Sequence, residues 1–142
     1  MFYKKVLNTM ANMKKAYEMY KAGFSCGQIV ATFCSEACGF DDKLARAGLG
    51  GFGGGMHRGE NCSAVIGAVY SLGMYCNHSE YNDEATGEKI VTMTKKFTDS
   101  FVERYGSLRC SDLMNGDLNR CGEFIEFCQD SITQLVKADK LK

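Results

Sequence analysis

Apolar residues recur at helical spacing along most of this chain, and no proline interrupts them in its 142 residues. Proline breaks helix interiors, so its absence leaves long helices unhindered. The first apolar stripe follows the i, i+4, i+7 spacing of one helix face. It comprises Val6, Met10, Met13, Tyr17 and Tyr20. The pattern predicts an all-α fold, a single-domain bundle of about five helices over residues 1–142.

Capping residues place the second helix. Ser25 and Gln28 have the spacing of a capping box, so this helix is expected to begin at Cys26. Gly39 is of the type that ends a helix in a left-handed conformation. A short amphipathic piece over 41–49 follows. The inward face of the second helix is predicted to hold Cys26, Ile29, Val30, Phe33 and Ala37.

A glycine-rich segment over residues 48–59 precedes the third helix. No regular element tolerates this glycine density, so the backbone must turn tightly here or approach another group closely. The segment either lets the third helix pack closely or forms part of a site, and the two roles are compatible. Asn61 is a suitable N-cap for a helix from Cys62 to about Cys76. Small residues on several faces of that helix indicate a central position in the bundle.

Two further long helices complete the predicted bundle. Residues 77–86 are polar and indicate a loop, and Gly106 ends the fourth helix. Residues 107–118 form a connection with one helical turn from Ser111. The inward face of the fourth helix is predicted to hold Ile90, Met93, Phe97, Phe101 and Tyr105. The last helix is predicted to bury Cys121, Ile125, Cys128, Ile132 and Leu135.

Charge and hydropathy exclude two classes of function. Lys plus Arg and Asp plus Glu both total 17, so the net charge is zero. A nucleic-acid binder needs a basic surface, which this balance does not supply. No stretch approaches the ~18 apolar residues of a transmembrane helix, and the N-terminus lacks the apolar run of a secretory signal. We therefore expect a cytoplasmic protein without membrane insertion.

Eight cysteines stand out in such a chain. Their share falls short of the roughly 8–10% that marks a disulfide scaffold, and a reducing compartment keeps ordinary thiols unpaired. The chain has no C-x-x-C, which excludes the thioredoxin motif and the common zinc-knuckle spacing. Core packing, metal ligation and redox chemistry remain as explanations.

The predicted helix starts distinguish two of the cysteines. Cys26 and Cys62 would each be the first residue of a helix, where the positive end of the helix dipole and unpaired N–H groups stabilise a thiolate. Cys128 lies on an inward stripe and is by pattern a core residue. Four others lie in apolar helical patterns and are interpreted as core residues. They are Cys34, Cys38, Cys76 and Cys121.

Four segments of the chain resemble the C-GCAxxG-C-C family of redox-active proteins, in the family's order over roughly residues 13–136. They are Gly23-Phe-Ser-Cys26-Gly-Gln-Ile-Val30, the glycine-rich run from Gly51 through Cys62 to Gly67, Cys110-Ser-Asp-Leu-Met-Asn-Gly-Asp117 and Cys128-Gln-Asp-Ser-Ile132. The chain departs from the family pattern at Ser63 and at His57, where the family usually has glycine.

The resemblance implies a redox site on Cys26, Cys62, Cys110 and Cys128. A related domain occurs in split-Soret cytochromes, which implies an iron–sulfur cluster, either [2Fe–2S] or [4Fe–4S], and four thiolates are its usual ligands. Cys121 lies between the last two motifs and is the alternative fourth ligand. The i, i+7 spacing of Cys121 and Cys128 puts both on one helix face and does not separate them.

Three functions follow as hypotheses. The first is a cytoplasmic redox protein, electron carrier or oxidoreductase, with an iron–sulfur cluster on these cysteines. The second is a metal-free thiol–disulfide oxidoreductase in which Cys26 or Cys62 attacks. The third is an accessory protein with a structural zinc site. The redox partner protein is not indicated by the sequence, and the apolar surface of the first helix is compatible with a homodimer.

Overall fold

The structure, a computed structural model, describes residues 2–114 and 120–142, with side chains from residue 10 onward. Seven α-helices occur in this part of the chain. They are α1 (Phe2–Lys21), α2 (Cys26–Cys38), α3 (Asp42–Gly48), α4 (Ser63–Cys76), α5 (Glu84–Tyr105), α6 (Cys110–Met114) and α7 (Arg120–Lys140).

The all-α prediction is confirmed, but the helix count exceeds the predicted five. The five long helices match the predicted ones, and the short helices α3 and α6 form in the connections. Asp41 accepts hydrogen bonds from the N–H groups of Lys43 and Leu44, which is sufficient to start the two-turn α3. The predicted loop over 77–86 ends early, because Asp83 accepts from the Thr86 N–H and caps α5.

Helices α2 and α4 pack at the centre and run in the same direction. They approach most closely near their starts, where a Cβ on Gly67 would collide with the Gly27 carbonyl oxygen. At the C-terminal ends of the two helices, the last residues Cys38 and Cys76 are close enough to interact electrostatically. The central position predicted for the third long helix is confirmed, and the small residues are what permit the close approach.

Helices α5 and α7 cover this pair with large apolar side chains. Phe97 and Phe101 of α5 are buried, and the Phe101 and Phe124 rings lie 5.8 Å apart between centroids. The buried face of α7 is shifted from the predicted stripe, since Cys121 and Leu135 are only half-buried. The buried residues of α7 are Phe124, Ile125, Cys128, Ile132 and Val136.

The first helix leaves its predicted apolar stripe at the surface. Met10, Met13, Tyr17 and Tyr20 are each more than half exposed, and the Val6 side chain lies outside the described residues. Ala16 and Met19 pack against the core instead. Periodicity located the apolar face correctly, but α1 lies at the edge of the bundle, where α2 and α7 cover that face only in part.

No helix in the described part of the chain combines the length and the apolar character that a membrane span requires.

Candidate redox site

Four cysteines line one cavity of about 200 Å³, and each lies at the start of a helix. Cys26 is the first residue of α2, Cys62 the N-cap of α4, Cys110 the first residue of α6 and Cys121 the second residue of α7. Four helices that are separate in sequence therefore present a thiol to the same space.

The capping box predicted at the start of α2 is confirmed and positions Cys26. The Ser25 N–H donates to the Gln28 side chain at 2.8 Å, and the Gln28 N–H donates to the Ser25 hydroxyl at 3.4 Å. The Gln28 amide also donates to the Arg46 carbonyl at 2.8 Å, which ties α3 to the same turn. The backbone around Cys26 is thus fixed from both sides.

Backbone pairing holds Cys62 beside Cys110. The Cys62 N–H donates to the Leu108 carbonyl at 2.7 Å, and the Cys110 N–H donates to the Glu60 carbonyl at 2.6 Å. These two bonds flank an isolated antiparallel bridge between Asn61 and Arg109. Asn61 is therefore not the N-cap of α4 as predicted, because its backbone is in the bridge and Cys62 takes the capping position.

The glycine-rich segment forms a left-handed turn against the helix starts. Gly54, Gly55, Met56 and His57 all have φ between 57° and 63°. Gly54 lines the cysteine cavity, and a Cβ on Gly59 would lie 3.0 Å from Ser111 Cβ in α6. Both expectations for this segment, a tight turn and a close approach, are confirmed. Non-glycine residues in this conformation cost about 1–2 kcal/mol each, so Met56 and His57 store strain beside the site.

The four thiols interact electrostatically in every pairwise combination. A hydrogen bond to Cys121, together with burial, raises the pKa of the Cys26 thiol far above its ordinary value. The same bond lowers the pKa of Cys121 to about 7. Burial raises the pKa of Cys62, although the N–H groups of Ala64 and Val65 oppose the effect, and burial also raises the pKa of Cys110.

The thiolate expectation for Cys26 and Cys62 is therefore wrong for the metal-free protein. Desolvation and neighbouring thiols outweigh the helix dipole at both residues. A site that crowds four thiols cannot ionise them together without a cation, because each thiolate opposes the next. This donor set fits an iron–sulfur cluster, since its iron atoms replace the protons and neutralise the thiolates.

Cys128 does not line this cavity. It is fully buried in the core, and burial raises the pKa of its thiol well above the ordinary value. Cys62 and Cys34 interact with it electrostatically. Cys121 lies two turns earlier, near the start of α7, and faces the cavity. No pattern in the sequence distinguished Cys121, which lay on the same predicted stripe as Cys128. Its position as the second residue of α7 is what groups it with the other three cysteines.

The remaining cysteines are arranged as predicted, with one exception. Cys34 and Cys38 are buried in the core, and Cys76 packs against it while partly exposed. All eight cysteines are free thiols. The Gly116–Asp117 part of the third motif lies outside the described residues. The exception is Cys121, which was expected to be a core residue and instead lines the cavity.

Two further residues of the cavity make hydrogen bonds that the sequence did not predict. Met114 accepts a hydrogen bond from the Cys121 thiol at 3.4 Å. Ser63, only 3% exposed, accepts from the Gly27 N–H at 2.8 Å. His57 and Arg58 are exposed. Among the described residues, no group of three or more His, Cys, Asp or Glu side chains is arranged to hold a metal ion.

Comparison with known proteins places most of the chain in one family. The family model "Putative redox-active protein (C_GCAxxG_C_C)" matches residues 24–138, which include all eight cysteines. Neither a search of curated proteins nor one of solved structures returned a match. The chain belongs to the C_GCAxxG_C_C family of redox-active proteins.

Proposed function

We propose that this protein is a cytoplasmic electron-transfer protein that holds an iron–sulfur cluster on Cys26, Cys62, Cys110 and Cys121. The observation that carries the proposal is the convergence of four helix starts, each bearing a cysteine, on one cavity. Four thiolates are the common ligand set of [2Fe–2S] and [4Fe–4S] clusters. Membership of a redox-active family supports the same class of function.

The fourth ligand in this proposal is Cys121, which replaces Cys128 of the sequence-based hypothesis. Cys121 shares the cavity with the other three cysteines, whereas Cys128 is enclosed by core side chains. Because a helix rises about 1.5 Å per residue, seven residues separate the two by about 10 Å along α7. One thiol can therefore serve the cavity while the other packs in the core.

The surrounding residues suit electron transfer. When bound, the cluster accepts and releases single electrons without moving heavy atoms far. Leu113 and Phe124 are buried and form an apolar wall of the cavity, which limits water around the ligands. The backbone N–H groups of Ala64 and Val65 point at the Cys62 sulfur, and such hydrogen bonds tune a cluster's potential.

A second candidate function is thiol–disulfide exchange by Cys26 and Cys121, whose thiols line the same cavity and interact electrostatically. Joining the two sulfurs releases two protons and two electrons, which would reduce a substrate disulfide to two thiols. A structural zinc site would use the same four thiolates, so metal analysis of the purified protein distinguishes it from a cluster.

The deciding experiment is anaerobic purification followed by iron and acid-labile sulfide assays and visible absorption. We expect a brown protein with stoichiometric iron and sulfide. Replacing Cys26, Cys62 or Cys110 individually with alanine should abolish cofactor retention, whereas Cys76→Ala, a partly exposed cysteine outside the cavity, should leave it unchanged. A colourless protein with a reversible Cys26–Cys121 disulfide in peptide mapping would support the second candidate instead.

A further inference from the structure

A second cavity, of about 280 Å³, opens between α1, α2 and α7 beside the cysteine cavity. Tyr20 and Cys121 line both cavities. A molecule bound in the second cavity would therefore lie in contact with one of the proposed cluster ligands. This continuity indicates an occupant that takes part in the redox chemistry.

The walls of the second cavity are mainly apolar and aromatic. They are formed by Met13, Ala16, Tyr17, Tyr20, Phe33 and Ile125. Met13, Tyr17 and Tyr20 are 59%, 63% and 55% exposed. Together they form an exposed apolar patch, and such patches commonly mark binding sites. The cavity volume of about 280 Å³ lies just below the range of about 300–1,000 Å³ that is typical of small-molecule sites. A single aromatic ring is the size of ligand that fits.

The polar edge of the cavity defines the ligand's chemistry further. Asn12 and Gln129 line it, and across the described part of the chain neither side-chain amide has a hydrogen-bond partner. Their N–H groups are available to carbonyl oxygens of a ligand. Glu126 also lines the cavity, and its carboxylate disfavours anions such as phosphate-bearing cofactors. Lys15 contacts the Phe33 ring at 5.6 Å but does not line the cavity.

We propose that this second cavity binds a small neutral quinone, which exchanges electrons with the cysteine site through Cys121. The proposal rests on the proposed iron–sulfur function. Two molecules of reduced protein each give up one electron, and the quinone takes these two electrons and two protons from water to become a hydroquinone. Aromatic walls contact the ring, and the Asn12 and Gln129 amides donate to its carbonyl oxygens.

The test uses duroquinone, whose ring is fully substituted and cannot alkylate thiols. Isothermal titration calorimetry measures its binding to oxidised protein, and stopped-flow absorption follows reoxidation of protein reduced with dithionite and freed of excess reductant. Gly122→Leu fills the cavity, since a Cβ at this lining residue meets no atom within 4 Å. Gly73→Leu, at another helical glycine with open space, is the matched control.

We expect Gly122→Leu to weaken duroquinone binding by about tenfold or more and to slow reoxidation, with iron and sulfide content unchanged and the control behaving as wild type. Gln129→Leu, which removes one donor, should weaken binding as well and serves if Gly122→Leu does not fold. Absence of binding to wild type, or equal binding to Gly122→Leu, overturns the proposal. So does sedimentation showing that a second copy of the chain covers this face. Protein without iron and sulfide refutes the iron–sulfur function instead, and calorimetry still reports on the cavity.

Discussion

The Gly27 N–H donates a 2.8 Å hydrogen bond to the Ser63 hydroxyl, which joins the start of α2 to the start of α4. The donor is one of the first-turn N–H groups that an α-helix cannot satisfy internally. Cys26 precedes Gly27 and Cys62 precedes Ser63, so this single bond fixes the spacing of two site cysteines. The side chain that departs from the family's usual glycine thus has a defined structural role.

Ser63→Ala should lower the free energy of unfolding by about 1–3 kcal/mol, because it leaves the buried Gly27 N–H without an acceptor. Urea denaturation monitored by circular dichroism measures the change. Ser100→Ala is the control, because the Ser100 hydroxyl donates to the Phe97 carbonyl within α5. That carbonyl keeps its helical hydrogen bond in the variant, so the loss of unfolding free energy should be smaller. Equal losses would show that the Gly27 bond contributes nothing special.

Gly67→Ala should destabilise the protein by about 1–3 kcal/mol or more, since the new methyl group collides with the Gly27 carbonyl oxygen and separates α2 from α4. Gly73→Ala, in the same helix with open space around the Cβ, should instead stabilise by up to about 1 kcal/mol. Thermal and urea unfolding of the two variants compare them directly. A tolerated Gly67→Ala would contradict the close packing of these helices.

Cys121→Ala and Cys128→Ala should show which of the two cysteines is the fourth ligand and which is a core residue. Cys121→Ala removes a thiol from the cavity and should abolish iron and sulfide retention. Cys128→Ala leaves the cavity intact and should retain both, with a loss of roughly 1 kcal/mol in stability from the small void. Loss of iron in Cys128→Ala alone, with full loading of Cys121→Ala, would reverse the assignment.

His57→Gly should raise the free energy of unfolding by up to about 1 kcal/mol, because glycine adopts the φ of 57° without the steric cost that histidine bears. Arg58 does not have a positive φ. Arg58→Gly should therefore destabilise the protein by about 0.5–1 kcal/mol, because glycine adds conformational freedom to the unfolded chain. Denaturant titration of both variants tests the sign. A destabilised His57→Gly would mean that the side chain makes contacts outweighing its strain.

Asp139 should make stability depend on pH. Its carboxylate pairs with Lys89 and accepts a hydrogen bond from the Tyr75 hydroxyl, both at 2.6 Å, and these partners lower its pKa. A lowered carboxyl pKa adds stability that is complete above the unfolded value of ~3.9 and is lost as pH falls through the folded value. Asp139→Asn should therefore cost about 1 kcal/mol or less near neutrality, and this cost should shrink as the pH is lowered below ~3.9. A cost that does not change with pH would exclude the ionic contribution.

Local sequence patterns were sufficient to predict the long helices. Apolar spacing located the five long elements, and the caps at Ser25, Gly39 and Gly106 act within one turn of the chain, so their residue types suffice to predict them. The glycine-rich segment was likewise predictable as a tight turn, because only glycine-rich backbone enters the left-handed region repeatedly.

Which thiols line the same cavity depends on the tertiary structure. Cys121 and Cys128 share one face of α7, so periodicity does not show which of them lies at the cavity and which in the core. That depends on the level along α7 at which the starts of α2, α4 and α6 pack against it. The pairing of residues 60–62 with 108–110, which brings Cys62 beside Cys110, joins segments almost fifty positions apart. The exposure of the α1 stripe depends in the same way on neighbours. Local interactions fix helix positions, whereas the site is made by long-range contacts that no single stretch of sequence encodes.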